Sequence, residues 1–204
     1  MRGILMSAMA AMAVVAGTAA MAAPVDAETA KGMLFKPTGM IFYPVEPQGL
    51  DAEAAGKVTA LQGGMDQQMA AFEAGGYGYY GAMAVPTGGA LKPESLVVLA
   101  GLHSPGAAQA AVLAQCKSTH KAECTVIGLM LPQGYKTREM TLSAAATTGV
   151  RGGFSGPGPH FLAYSPATAG FAVAKGPGAD AVALKACNAA SGGKNDCVIG
   201  VAED

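Results

Sequence analysis

Apolar positions along this chain come in short blocks separated by Gly- and Pro-rich breaks, and their spacing predicts the elements. "GAMAV" and "FLAYS" are short runs closed by Pro and Gly turns, which reads as strands, and "LVVLAGL" and "GFAVAK" follow as second strands. Ser104-Pro105 starts a helix with an N-cap Ser and Pro at the first helical position. Gly176-Pro177, with Asp180 in the first turn, takes that part further on. The Ala-rich helices "GAAQAAVLAQC" and "GADAVALKAC" each close on Cys, and "CTVIGLML" and "CVIGV" are apolar closing strands.

These blocks occur twice in the same order. With Cys116 set on Cys187, Leu113 falls on Leu184, Ala110 on Ala181 and Ala108 on Ala179. Cys124 and Cys197 each precede Val-Ile-Gly, with Thr125 extra in the first copy, and Ala84-Val85-Pro86 aligns with Tyr164-Ser165-Pro166. The pattern predicts an α+β fold of two repeated β–β–α–β units, a sheet with helices on one side. The repeats span 77–131 and 159–204, joined by a connector over 132–158 that holds a strand "REMTLS", a helical "AAATTGV" and a flexible "RGGFSGPGPH". Residues 23–76 form an N-terminal extension. It is expected to hold a β-hairpin around Pro37-Thr38-Gly39, then a helix capped by Asp51 with Val58, Leu61, Met65 and Phe72 on one stripe. Gly63-Gly64 should kink that helix.

Composition adds a compartment. Met1-Arg2, the apolar run from Ile4 to Gly17 and the small-residue stretch ending Ala20-Met21-Ala22 form a secretory signal peptide over 1–22, cut after Ala22. The rival is an uncleaved anchor, since the apolar region nears 20 residues. No later stretch is long and apolar enough to span a bilayer, which leaves a periplasmic or secreted protein. Of the 204 residues 51% are apolar, much of that Ala, and there is no Trp, so the core is thin and close-packed. A net charge of −1 without a basic block excludes nucleic acid as a partner.

Cys116, His120 and Cys124 lie four residues apart. On one continuous helix they would stripe a face and offer soft ligands to zinc. A disulfide would then be excluded, because eight helical residues separate the Cα atoms by about 12 Å. The second copy has "NAASGGKND" between Cys187 and Cys197, without His and with two glycines that stop a helix. There the chain must turn back. We therefore read two local disulfides, Cys116–Cys124 and Cys187–Cys197, with His120 in a loop and no metal site; zinc is the rival. Neither pair has the C-x-x-C spacing of a redox thiol.

Catalytic patterns are sparse. His103 and His160 are specific to one copy each and would suit a cleft between the repeats, given a nucleophile and a carboxylate. "GFSGPG", residues 153–158, approaches an esterase elbow but has Pro157 at its last Gly. Arg151 beside these glycines is placed to grip an anion. Tyr77, Tyr79 and Tyr80 in "GYGYY" would form a stacking platform for a glycan or peptide, unless strand alternation buries one of the last two.

At A-V-L-A-Q-C…C and A-L-K-A-C-N…C the chain resembles small exported bacterial domains of unknown function, which carry an Ala-Leu-x-x-Cys helix and a second Cys before a β-strand. The resemblance is best over 160–201 and looser over 80–130; it implies export and disulfides and brings no catalytic residue. The whole chain is also similar to alphaproteobacterial proteins that carry the name 5-aminolevulinate synthase. That name implies a pyridoxal-phosphate enzyme with a Schiff-base Lys. This chain has no counterpart of that Lys motif or cofactor domain, so no cofactor is expected. The reading is an exported, disulfide-stabilised, non-catalytic binding or envelope-associated module. It would present loops 86–95 and 151–159 to an extracytoplasmic protein or glycan. Its alternative is a small periplasmic hydrolase using His103 and His160.

Overall fold

The computed structural model describes residues 23–203, so the signal peptide expected over 1–22 lies outside the described residues. Helix α1 (Ala27–Met33), strand β1 (Met40–Pro44) and helix α2 (Ala52–Ala74) come first. Strands β2 (Gly81–Pro86) and β3 (Val97–Leu99), helix α3 (Pro105–His120) and strand β4 (Cys124–Pro132) follow. After helix α4 (Ala144–Gly153) the same order returns in β5 (His160–Tyr164), β6 (Phe171–Lys175), α5 (Ala179–Ala190) and β7 (Val198–Glu203). The fold is α+β, as the apolar pattern implied. No helix among the described residues is long and apolar enough to cross a membrane.

There are two antiparallel sheets rather than one, ordered β1-β4-β2-β3 and β6-β5-β7. In both, the first strand of the β–β–α–β run is flanked by the second and the last. Helices cover both faces of each sheet, not one. Alternate residues of β2 part company: Ala82 and Ala84 pack with Ala108, Val112 and Cys116 of α3. Met83 and Val85 pack with Val58, Met65 and Met69 of α2. In the second sheet Ala163 faces Ala183 and Cys187 of α5, while Leu162 faces Ala146 and Val150 of α4. Every residue of β2 is buried because both sides are occupied. A strand buried on both faces loses the apolar–polar alternation that would reveal it.

The central strands share an irregularity. Register shifts between Met83 and Ala84 against β4, and between Leu162 and Ala163 against β7. Ala84 then pairs with Val126, and Ala163 with Ile199, each two residues past its cysteine. By position in the sheet Ala84 matches Ala163 and Thr125 matches Val198, so no residue is extra. The Val-Ile-Gly alignment read from the sequence is one residue out, which would turn each side chain to the wrong face.

The N-terminal extension differs from the hairpin expected. Asp26 caps α1 by accepting from the Thr29 N–H at 2.8 Å. Leu34 and Phe35 then enter the core. The turn at Gly39 serves other partners: its N–H donates to Glu73 at 2.9 Å, and its carbonyl accepts from Gln133 N–H at 2.9 Å. Strand β1 pairs with β4, Met40 opposite Pro132. Asp51 does cap α2, accepting from Ala54 N–H at 2.8 Å. The helix runs unbroken through Gly63 and Gly64, where nothing lies within 4 Å of the position a Cβ would take. Met69 joins the buried stripe, while Leu61 is 38% exposed. "REMTLS" forms no strand; it leads to Ser143, the cap of α4, and Arg151 falls in that helix rather than in a flexible connector.

The extension also covers two sheet edges. β1 lies along β4, and Val25 forms a parallel bridge with Val201 of β7. An open strand edge is a template for further pairing, and here both closing strands are shielded by residues 23–44.

Candidate functional site

The cysteines form the two disulfides expected, with Cα separations of 6.2 Å (Cys116–Cys124) and 6.1 Å (Cys187–Cys197). Helix α3 continues one turn beyond Cys116, so His120 is its last residue rather than part of a loop. Lys121 then adopts a left-handed conformation, φ 54°, and turns the chain back so that Cys124 opens β4. Among the described residues no three His, Cys, Asp or Glu side chains group to hold a metal ion. Each disulfide ties a helix to the strand that follows it, and Cys116 and Cys187 are fully buried.

His103 is buried against the second half of the chain. Its Nδ1 accepts from the Ser143 N–H at 3.2 Å, and its Nε2 donates to the Gly170 carbonyl at 3.1 Å. Its ring meets Tyr164 edge-on with centroids 5.2 Å apart. Burial pulls its pKa down to about 4, only partly offset by the Gly170 and Ala169 backbone. Both nitrogens are committed, so this imidazole has no free lone pair for a general base. His160 is buried at the other end of β5; its Nε2 donates to the Ser155 carbonyl at 3.2 Å and its ring lies 5.7 Å from that of Phe154. Four residues of strand, about 13 Å, separate His160 from Tyr164. Among the described residues neither histidine is hydrogen-bonded to a carboxylate. The structure does not bring the two into one cleft.

The tyrosines separate as well. Tyr79 and Tyr80 are both buried, and only Tyr77, 42% exposed, reaches solvent. Tyr80 takes φ 54°, which breaks strand alternation and sends both rings inward. The Tyr79 hydroxyl meets Thr147 Oγ1 at 3.3 Å, while the buried Tyr80 hydroxyl finds no partner among the described residues. Tyr77 packs edge-on against Phe72, centroids 5.1 Å apart. A three-ring platform does not form.

What the fold does assemble is a basic pocket of about 370 Å³ where three segments meet. The stretch after α1 supplies Phe35, Lys36 and Thr38; the turn after β4 supplies Gln133 and, shortly beyond, Arg138; the last turn of α4 supplies Arg151. Arg138 stacks its guanidinium 3.7 Å from the Phe35 ring centroid and donates through Nη1 to the Met33 carbonyl. Arg151 Nη2 donates to the Lys31 carbonyl at 3.3 Å. Both arginines thus meet C-terminal carbonyls of α1, which lack partners within the helix. Each guanidinium carries five N–H donors, and Arg138 Nε is buried without a partner among the described residues. None of the described carboxylates lines the pocket. Of this set, the sequence pattern singles out Arg151 alone. Lys36 and Arg138 come from segments about a hundred residues apart in sequence, and no local pattern marks them.

Loop 86–95, expected to present a binding surface, keeps Gly88–Ala90 and Lys92–Glu94 exposed and packs Leu91 toward α2. Leu91 and Leu96 with Val58 and Leu61 form an apolar cleft of about 380 Å³, edged by Lys57 and Lys92. No protein-family model, curated protein or solved structure matches this chain.

Proposed function

We propose that this protein is an exported, disulfide-stabilised binding module without catalysis of its own. Two disulfides support an oxidising compartment, and the apolar N-terminal run with its small-residue site supports export. The shared element order and bulge position of the two β–β–α–β runs support an internal duplication. The observation that carries the binding reading is how the polar groups divide. His103 and His160 spend ring nitrogens on backbone groups, while Lys36, Arg138 and Arg151 line an open pocket without a counter-charge among the described residues.

Intact mass of the protein expressed with its full N-terminus in a bacterium, with thiol alkylation before and after reduction, tests the reading. The expected result is a chain beginning at Ala23 in the periplasmic fraction, with no thiol reacting before reduction. An unprocessed cytoplasmic chain with four reactive thiols overturns it.

A further inference from the structure

We infer that the basic pocket between residues 34–38, the turn at 133–134 and the end of α4 binds the oxyanion of a small organic molecule, a carboxylate or phosphomonoester. The inference rests on the binding-module reading and names the ligand class of that module.

Three features point to an anion. The first is charge. The chain has 13 Lys and Arg against 14 Asp and Glu, so neutralising partners are plentiful. Yet the ion pairs among the described residues are Lys57–Glu53 and Lys117–Glu123. Four further acids are taken up by backbone N–H groups: Asp26 and Asp51 cap helices, and Asp66 and Glu73 accept from the β1 segment. Lys36, Arg138 and Arg151 converge without any of them, and like charges gathered this way gain from a bound anion.

The second is preorganisation. Stacking on Phe35 and the bond to Met33 fix the Arg138 plane before any ligand arrives. A fixed fork loses little rotamer freedom on binding and matches the two oxygens of a carboxylate or phosphate. Its remaining N–H donors, with the Lys36 ammonium and the Arg151 guanidinium, supply charge-assisted hydrogen bonds from three directions in the chain.

The third is the shape and lining. The Thr38 hydroxyl and the Gln133 amide add neutral donors, and Phe35 with Leu34 provides an apolar wall. At about 370 Å³ the pocket exceeds what a bare oxyanion fills, so the charged group belongs to a larger body. Ligand pockets of this size pair apolar lining with a few placed polar groups.

Isothermal titration of the oxidised, signal-free protein with benzoate, phenyl phosphate and benzyl alcohol tests this. Either anion should bind in the submillimolar range and weaken with salt, and benzyl alcohol should not bind; the stronger anion identifies the headgroup. Lys36→Glu should weaken that anion about tenfold or more and Arg151→Ala roughly five- to tenfold, as expected for charge-assisted bonds. Lys36 is exposed and makes no hydrogen bond among the described residues, so its variant keeps the test valid if Arg151→Ala loosens α1. Failure of both anions to bind at about 10 mM, weaker than any useful affinity, overturns the pocket assignment. Equal binding of benzyl alcohol, or affinity unmoved by Lys36→Glu, overturns it too. Any of these in a protein that is processed at Ala23 and fully disulfide-bonded leaves the module reading standing; free thiols in a cytoplasmic chain remove that reading whatever the titration shows.

Discussion

His103 joins the two halves of the molecule through a handful of atoms. It sits just before α3, yet its ring bonds to the Ser143 cap of α4 and to Gly170 before β6. The site suits only a neutral imidazole, because Nδ1 must accept. As pH falls, the unfolded chain takes up its proton near 6.5 and the folded chain only near 4. Its contribution is therefore complete above about pH 6.5 and lost progressively down to about pH 4, at about 3 kcal/mol over the window. Urea unfolding between pH 7 and pH 4 should show that loss. His103→Gln should be less stable at pH 7 by about 1–3 kcal/mol and nearly flat over the same window. A variant as pH-dependent as the wild type refutes the assignment. From sequence alone this histidine looks like half of a catalytic pair, because its distinctive feature, presence in one copy only, fits an inter-repeat contact as well as an active site.

At the scale of elements, the glycines separate by what surrounds them. Gly170 lies where a Cβ would come 2.7 Å from Ser191 N and 2.8 Å from its Cα, both backbone atoms at the end of α5. Gly170→Ala must push helix and strand apart, and we expect a loss of about 2 kcal/mol or more in chemical denaturation. Gly63 and Gly64 are the opposite case: exposed, helical and with open space around them. Gly63→Ala and Gly64→Ala should each raise stability by about 0.5–1 kcal/mol and raise Tm, since alanine restricts the unfolded chain and fits the helix. The Gly pair misleads as a sequence signal because propensity is a weak local term. Burial of Val58, Met65 and Met69 along α2, with Gln62 Nε2 donating to Ile127 O at 2.7 Å, outweighs it. The expected hairpin fails for a similar reason: the turn residues are present, but the partner that buries β1 is β4, far off in sequence.

For the whole molecule, the disulfides close loops of 8 and 10 residues. Loop-closure entropy assigns each about 2.5–3 kcal/mol, a useful addition to a core in which 10 of the 34 buried apolar residues described are alanine. Replacing Cys187 and Cys197 together by Ser should lower the unfolding free energy by that amount while the far-ultraviolet circular dichroism stays native in form. Loss of structure in dilute buffer would mean that the second sheet depends on its disulfide to form at all.

The sequence by itself determined the α+β class, most of the elements, the helix caps at Ser104 and Asp51 and the pairing of all four cysteines. These are local matters, decided by the residues beside one another: cap chemistry, turn residues, apolar runs of strand length. Only the tertiary structure decided which faces were covered, that two sheets form rather than one, and that register shifts within β2 and β5. It also turned Tyr79 and Tyr80 inward and spent His103 on the contact between halves. The basic pocket is the clearest case, since the sequence marks only Arg151 as an anion ligand and leaves Lys36 and Arg138 as ordinary surface cations. They become a site only because α1, the turn after β4 and the end of α4 meet, and long-range packing of that kind leaves no periodic trace in the chain.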